Sequence, residues 1–108
     1  MIDTPIEAAR ELVEINLTVG TQLQGGKSSV TEHVSRGGVI TGVVVTRAAT
    51  GSTESVSTRM MAKTIERIRA DEQLGKRSIS GTTTVEATVA AALGLSFDGT
   101  KYVLTADQ

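Results

Sequence analysis

Gly25 to Gly38 reads GGKSSVTEHVSRGG: ten residues, Lys27 to Arg36, held between two glycine pairs. Gly-Gly is a two-residue hairpin signal, because the tight turns that match strand twist need positive φ at their central residues. If both pairs are such turns, Gln24 lies opposite Lys27 and Arg36 opposite Val39. Counting outward places Val34 between Leu17 and Thr41, Glu32 between Val19 and Val43, and Val30 between Thr21 and Val45. The stretch before the first pair alternates, with Val13, Ile15, Leu17, Val19 and Leu23 on one side. The stretch after the second, Val39 to Thr46, is β-branched and nearly continuous, as a more buried strand would be. The apolar sides of all three agree in this register, and a one-residue slip in either turn would reverse one of them. The pattern predicts a three-stranded antiparallel meander.

The same stretch contains Gly26-Lys27-Ser28, the second half of a phosphate loop, in which amides ring the phosphates and lysine reaches the outer ones. The first glycine of that motif would fall at Thr21, and Gly20 is one residue early. The next strand ends in Thr46 and Arg47 rather than a magnesium-binding aspartate, and the rest of the chain is short for a parallel sheet covered on both faces. The hairpin explains both glycine pairs at once, leaving Lys27 as a solvated charge at a turn. No cofactor is expected.

Outside the meander the apolar period changes to that of helices. Thr4, Pro5 and Glu7 form a helix start, with Ile6, Ala9 and Leu12 on one face. Ser52 to Gly75 predicts the longest helix, with a stripe of Val56, Met60, Met61, Ile65 and Ile68, a cap at Ser52 and a stop at Gly75. Thr83 and Glu86 open a short Ala-rich helix. Asp98-Gly99 then predicts a hairpin with Leu95 opposite Tyr102. The expected fold is α+β: a three-stranded antiparallel meander packed on one face by a long α-helix. A short N-terminal helix, a short Ala-rich helix and a C-terminal β-hairpin complete a single domain over 1–108.

Two partial resemblances bear on nucleic acid. Val85 to Leu104 partly resembles a helix-turn-helix motif, with Ala90, Leu93, Gly94, Leu95, Ser96 and Val103 at suitable positions. Asp98-Gly99 would sit inside its recognition helix, where glycine costs about 1 kcal/mol and acid repels phosphate, so the hairpin is the expected structure. The order helix, strands, helix is similar to that of double-stranded-RNA-binding domains, which grip phosphates with lysines at the start of the second helix. Here Gly51 to Lys63 has no lysine before its last residue, and membership is not expected.

Composition narrows function further. The 108 residues carry 11 basic and 12 acidic side chains, so no whole-molecule field draws in nucleic acid or anionic lipid. Cysteine is absent and His33 is the single histidine, which excludes thiolate catalysis and multi-histidine metal sites; no metal site is expected. No apolar run spans a membrane and no basic-then-apolar leader is present, so a cytoplasmic protein is expected. Glu32, on the apolar face in this register, is the one candidate for a perturbed acid or base, but no catalytic constellation assembles around it and an enzyme is not expected. Thr18 and His33 on the polar side, with an apolar Ile40/Val44 strip, mark a candidate partner surface. The leading expectation is a homo-oligomerising or assembly protein, a structural or accessory component of a larger particle (phage-type in size and composition). The alternative is a nucleic-acid-binding module using the stripe Arg59, Lys63 and Arg67.

Overall fold

The structure, a computed structural model, describes residues 5–80 and 83–104. The chain runs α1 (Pro5–Asn16), β1 (Gln22–Leu23), β2 (Ser28–Arg36), β3 (Val39–Arg47), β4 (Thr53–Ser57), α2 (Thr58–Gln73), β5 (Ser78–Ile79), α3 (Thr84–Ala92), β6 (Ser96–Phe97) and β7 (Tyr102–Val103). It is α+β. The main sheet is antiparallel with order β1-β2-β3-β4, and a small antiparallel sheet has order β5-β7-β6. The expected three-strand meander is thus one strand short, and its first strand is largely helix.

That first difference lies in two periods that coincide. Val13 and Leu17 are spaced for a strand face and also for one helix turn. Ala9, Val13 and Leu17 are all buried at intervals of four, while Ile15 and Val19 are 70% and 61% exposed, so the helical period wins. Only Gly20 to Leu23 pairs with β2, closed by the Val30 N–H to the Thr21 carbonyl at 2.9 Å and the Gly20 N–H to the Val30 carbonyl at 2.8 Å. The extra strand comes from Thr53–Ser57, expected as the start of the long helix. Apart from Glu54 its residues are β-branched or serine, and of the five only Val56 is buried, opposite Val43. The helix begins where Ser57 Oγ accepts the Met60 N–H at 3.1 Å, and Met60 is 44% exposed.

Both glycine pairs turn the chain, the first within a wider loop: Gln24–Gly26 is a 3-10 turn and Lys27 is helical, so the strands close at Leu23 and Ser28 rather than at Gln24 and Lys27. Gln22 pairs with Ser29 and Leu23 with Ser28, the register of a Gly25-Gly26 turn. Arg36 pairs with Val39 across Gly37-Gly38, whose φ angles of 59° and 80° suit a primed turn. Between these points two β-bulges intervene, one at Thr31 and one at Thr41. They shift the register by one residue over Glu32 to Val34 and then restore it. The pairings become Val34 with Gly42, His33 with Val43 and Glu32 with Val44. Glu32 therefore leaves the apolar face and is exposed, while His33 turns toward the helices.

The helices cover one sheet face. Val30, Val43, Val45 and Val56 meet Val13, Met61 and Ile65 in one core that continues through Ala87, Val89 and Ala90 to Ile79 and Tyr102. At about 25 cal/mol per Å² of apolar surface, this burial is the main favourable term. Both α2 and α3 end in the same way. Gly75 donates to Glu72 and Lys76 to Asp71, and Gly94 donates to Ala91 and Leu95 to Ala90, with φ of 96° and 74° at the glycines. Thr83 Oγ1 caps α3 through the Glu86 N–H, whereas the expected cap at Thr4 lies outside the described residues. The C-terminal hairpin forms with Phe97 opposite Tyr102, two residues out of the expected register. Asp98 Oδ1 accepts from the amides of Thr100 and Lys101, which widens the loop to four residues. The molecule measures 42 × 38 × 18 Å, the thickness of a helix layer on a sheet.

Candidate functional site

The β2–β3 hairpin outruns its neighbours. β1 flanks β2 only at Ser28 and Ser29, and β4 flanks β3 only from Gly42 to Thr46. From Thr31 to Arg36 the outer edge of β2 has no strand beside it among the described residues. The tip is a two-stranded arm, with Val34 and Val39 37% and 40% exposed. Its root is pinned from the helix side. Arg10 Nε donates to the Ile40 carbonyl at 3.0 Å, Thr58 Oγ1 donates to the Thr41 carbonyl at 3.3 Å, and His33 Nε2 lies 2.5 Å from the Leu17 carbonyl.

The face opposite the helices carries hydroxyls from Ser29, Thr31, Thr46, Thr53, Ser55 and Ser57, with Val34 and Val44 among them. Thr31 and Thr46 touch through their hydroxyls at 2.8 Å. Gly42 leaves a dimple of about 200 Å³ between Val34, Ser55, Ser57 and Met60. A Cβ there would come within 2.6 Å of the Val56 carbonyl oxygen, so the position demands glycine. No described element lies on this face.

The four residues expected to form a partner surface do not form one patch. Val44 is on the uncovered face. Ile40 is partly buried against the core, His33 points at the end of α1, and Thr18 sits in the following loop, 3.3 Å from the Thr21 hydroxyl. The bulges part His33 and Ile40 from Val44, since each flips the side-chain alternation of its strand, and the run of α1 to Asn16 takes Thr18 out of the sheet. Val34 and Met60, expected on the core side, border the dimple instead, and the open sheet edge that the sequence suggested is located at Thr31 to Arg36 by the shortness of the neighbouring strands.

The other end of the molecule holds a charged trough. One stretch of about 650 Å³ is lined by Arg67, Asp71, Lys76, Glu86 and Lys101, and a second of about 410 Å³ by Lys27, Arg47 and Phe97. Ser80 and Thr100 border both. The carboxylates are engaged: Glu86 with Arg67 at 2.6 Å and Asp71 with Lys76 at 3.6 Å. Of the expected basic stripe, Arg59, Lys63 and Arg67 are all exposed along α2, but only Arg67 reaches the trough. Lys27 sits beyond the Gly25-Gly26 turn, which packs on Phe97. Residues 28–36 are strand rather than helix, so the geometry of a phosphate loop is absent there.

Among the described residues Tyr102 and Asp98 titrate away from their ordinary values, both at this end. Burial raises the Tyr102 phenol, whose oxygen accepts the Gln24 N–H at 2.8 Å, a bond that pulls the other way. The Lys101 and Thr100 amides hold the Asp98 carboxyl below the usual value. Among the described residues no group of three His, Asp or Glu could hold a metal ion, and no helix is long and apolar enough to cross a membrane. In comparison with known proteins, the chain matches no family model, no curated protein and no solved structure.

Proposed function

We propose that this chain is a non-catalytic assembly protein, a homo-oligomerising structural or accessory part of a larger particle of the phage type. It associates through the β2–β3 arm and the uncovered sheet face. The observation that carries this reading is the arm: two strands projecting past their neighbours, with unpaired backbone on one edge and Val34 and Val39 exposed. An open edge is a template for another strand, and soluble proteins ordinarily blunt or cover it. The hydroxyl-rich face beside it, with the Gly42 dimple, suits a partner laid flat on a thin plate. Sedimentation equilibrium from micromolar to millimolar concentration tests it. A defined oligomer is expected, dissociated by Val34→Asp with Val39→Asp; a monomer at every concentration would refute it.

The trough favours a second reading, as a nucleic-acid-binding module. Five cations line it against two carboxylates, both already bridged. In this reading Arg67 joins the Arg59 and Lys63 flank of α2 to Lys27, Arg47 and Lys101. Anisotropy of a labelled single-stranded oligonucleotide should then fall steeply with salt, by a log–log slope of about −0.7 per phosphate neutralised. Charge reversal at Lys27 and Arg47 should abolish it, and no binding at low salt would exclude it.

A further inference from the structure

The edge that makes the arm available also carries a pattern that selects one partner and one register. Glu32, Val34 and Arg36 share the uncovered face at alternate positions, and all three are exposed. The unpaired stretch runs from Thr31 to the turn at Gly37, so Val34 is its centre. Antiparallel pairing of this stretch with itself about a two-fold axis at Val34 sets each residue opposite the one whose number completes the same sum. Val34 meets Val34, Glu32 meets Arg36, and Thr31 meets Gly37. Opposite charges thus face each other twice, symmetrically, across the centre.

The backbone supports the same register. In a two-residue hairpin the flanking residues, here Arg36 and Val39, direct their amides at each other, so alternation turns those of Ser35 and His33 outward. Self-pairing at Val34 sets Ser35 against His33, matching donors with acceptors. A shift by one residue in either copy would move the axis off Val34 and place Glu32 opposite Ser35 instead, losing the charge match. Parallel pairing would set Glu32 against Glu32, a like-charge contact.

We infer that two copies of this chain join along the Thr31–Gly37 edge of β2, in antiparallel register centred on Val34, so that the β4-β3-β2 strands of one copy continue into β2-β3-β4 of the other. This rests on the assembly reading above and adds its partner, its axis and its charge code.

The code is testable by exchange. Glu32→Arg alone sets two guanidinium groups against each other on both sides of the axis, and Arg36→Glu alone sets two carboxylates against each other there. Each should weaken self-association at least tenfold in sedimentation. The double exchange should restore it to near the wild-type value, and mixing the two single variants should yield a heterodimer. Independently, the chain has no cysteine, so Val34→Cys introduces the only thiol. Opposed residues in a non-hydrogen-bonded pair lie about 4.5 Å apart at Cα, within the roughly 4.4–6.8 Å that a disulfide spans. Val34→Cys should therefore oxidise quickly to a covalent dimer, and Val39→Cys should not. Oligomers that survive both single exchanges, or that cross-link equally through residue 39, would overturn this register while leaving assembly standing. A wild-type chain that stays monomeric would overturn both.

Discussion

The two ends of the β2–β3 hairpin are made from similar sequence and sit in opposite surroundings. Each has a glycine pair beside it, each is rich in valine, and nine residues at about 3.3 Å apart put them roughly 30 Å from each other. At the base, Val30 and Val45 are fully or nearly fully buried, with Gly20 and Thr21 bonded to Val30 on one side and β4 beside Val45 on the other. The Gly25-Gly26 turn is fastened there by the Gln24–Tyr102 bond and by the Phe97 ring, itself 4.9 Å from Tyr102. At the tip, Val34 and Val39 stand exposed, and a Cβ added at Gly37 or Gly38 would meet only open space. The difference teaches that a hairpin's stability is decided by what lies beside it, not by its own pattern. The base is completed by the chain's own later segments; the tip is not.

The sharpest way to break this contrast is at Tyr102. Truncation to alanine removes a buried ring and its bond to the first turn, and should cost about 3–5 kcal/mol in urea unfolding. Val34→Ala at the tip should lie within about 0.5 kcal/mol of wild type under conditions where the chain is monomeric. If both substitutions cost alike, the tip belongs to the packed body and the contrast fails. Tyr102→Phe is intermediate, since it removes the bond from the Gln24 amide and keeps the ring, at about 0.5–1.5 kcal/mol.

Gly42 marks where the body ends and the arm begins. Gly42→Ala forces a Cβ against the Val56 carbonyl and the Ser57 Cα, both backbone atoms that cannot swing away. A cost of about 1–3 kcal/mol is expected, as for other overpacked sites. Amide exchange sharpens the point: protection should fall along β3–β4 while the first turn keeps its own. Uniform loss of protection would mean that the two ends unfold as one unit.

The base was more legible in the sequence than the tip. Both glycine turns and their starting registers follow from Gly25-Gly26 and Gly37-Gly38 alone, because positive φ leaves little choice of residue. The caps at Gly75 and Thr83 were readable for similar local reasons. The bulges were not. Thr31 and Thr41 have ordinary strand propensity, and nothing local distinguishes a bulged threonine from a paired one. Val13 to Leu23 misled because Val13 and Leu17 satisfy two periods, and the tie was broken only by Ala9 and by the exposure of Ile15. Thr53–Ser57 lacks enough apolar residues to declare a strand; β3 recruits it. An open sheet edge was suggested by the sequence, but its place along Thr31 to Arg36 depends on where the neighbouring strands stop, which residue patterns do not give.

The smallest expected effects are those of pH on the base. The phenol of Tyr102 is raised in the folded chain, so its share of stability is complete below its ordinary value near 10 and is lost as pH climbs through the raised one. As the sole tyrosine, it can be followed alone by phenolate absorbance. Its midpoint should lie above that of the urea-unfolded chain, and Tyr102→Phe should flatten the alkaline limb of the stability curve. Asp98 has the opposite sign. Its folded value is lowered, so its contribution is present above the ordinary carboxylate value of 3.8 and fades as pH falls through the lowered one. Because this carboxyl is solvent-exposed, Asp98→Asn should shift the acid midpoint only slightly, by loosening the Thr100 and Lys101 amides. The arm should answer to salt instead. Glu32 and Arg36 are exposed, so added salt should loosen their pairing between copies, and that dependence should vanish on dilution to monomer. A salt effect on stability that persists at high dilution would place those charges in contact within one chain, and the tip would then be as self-contained as the base.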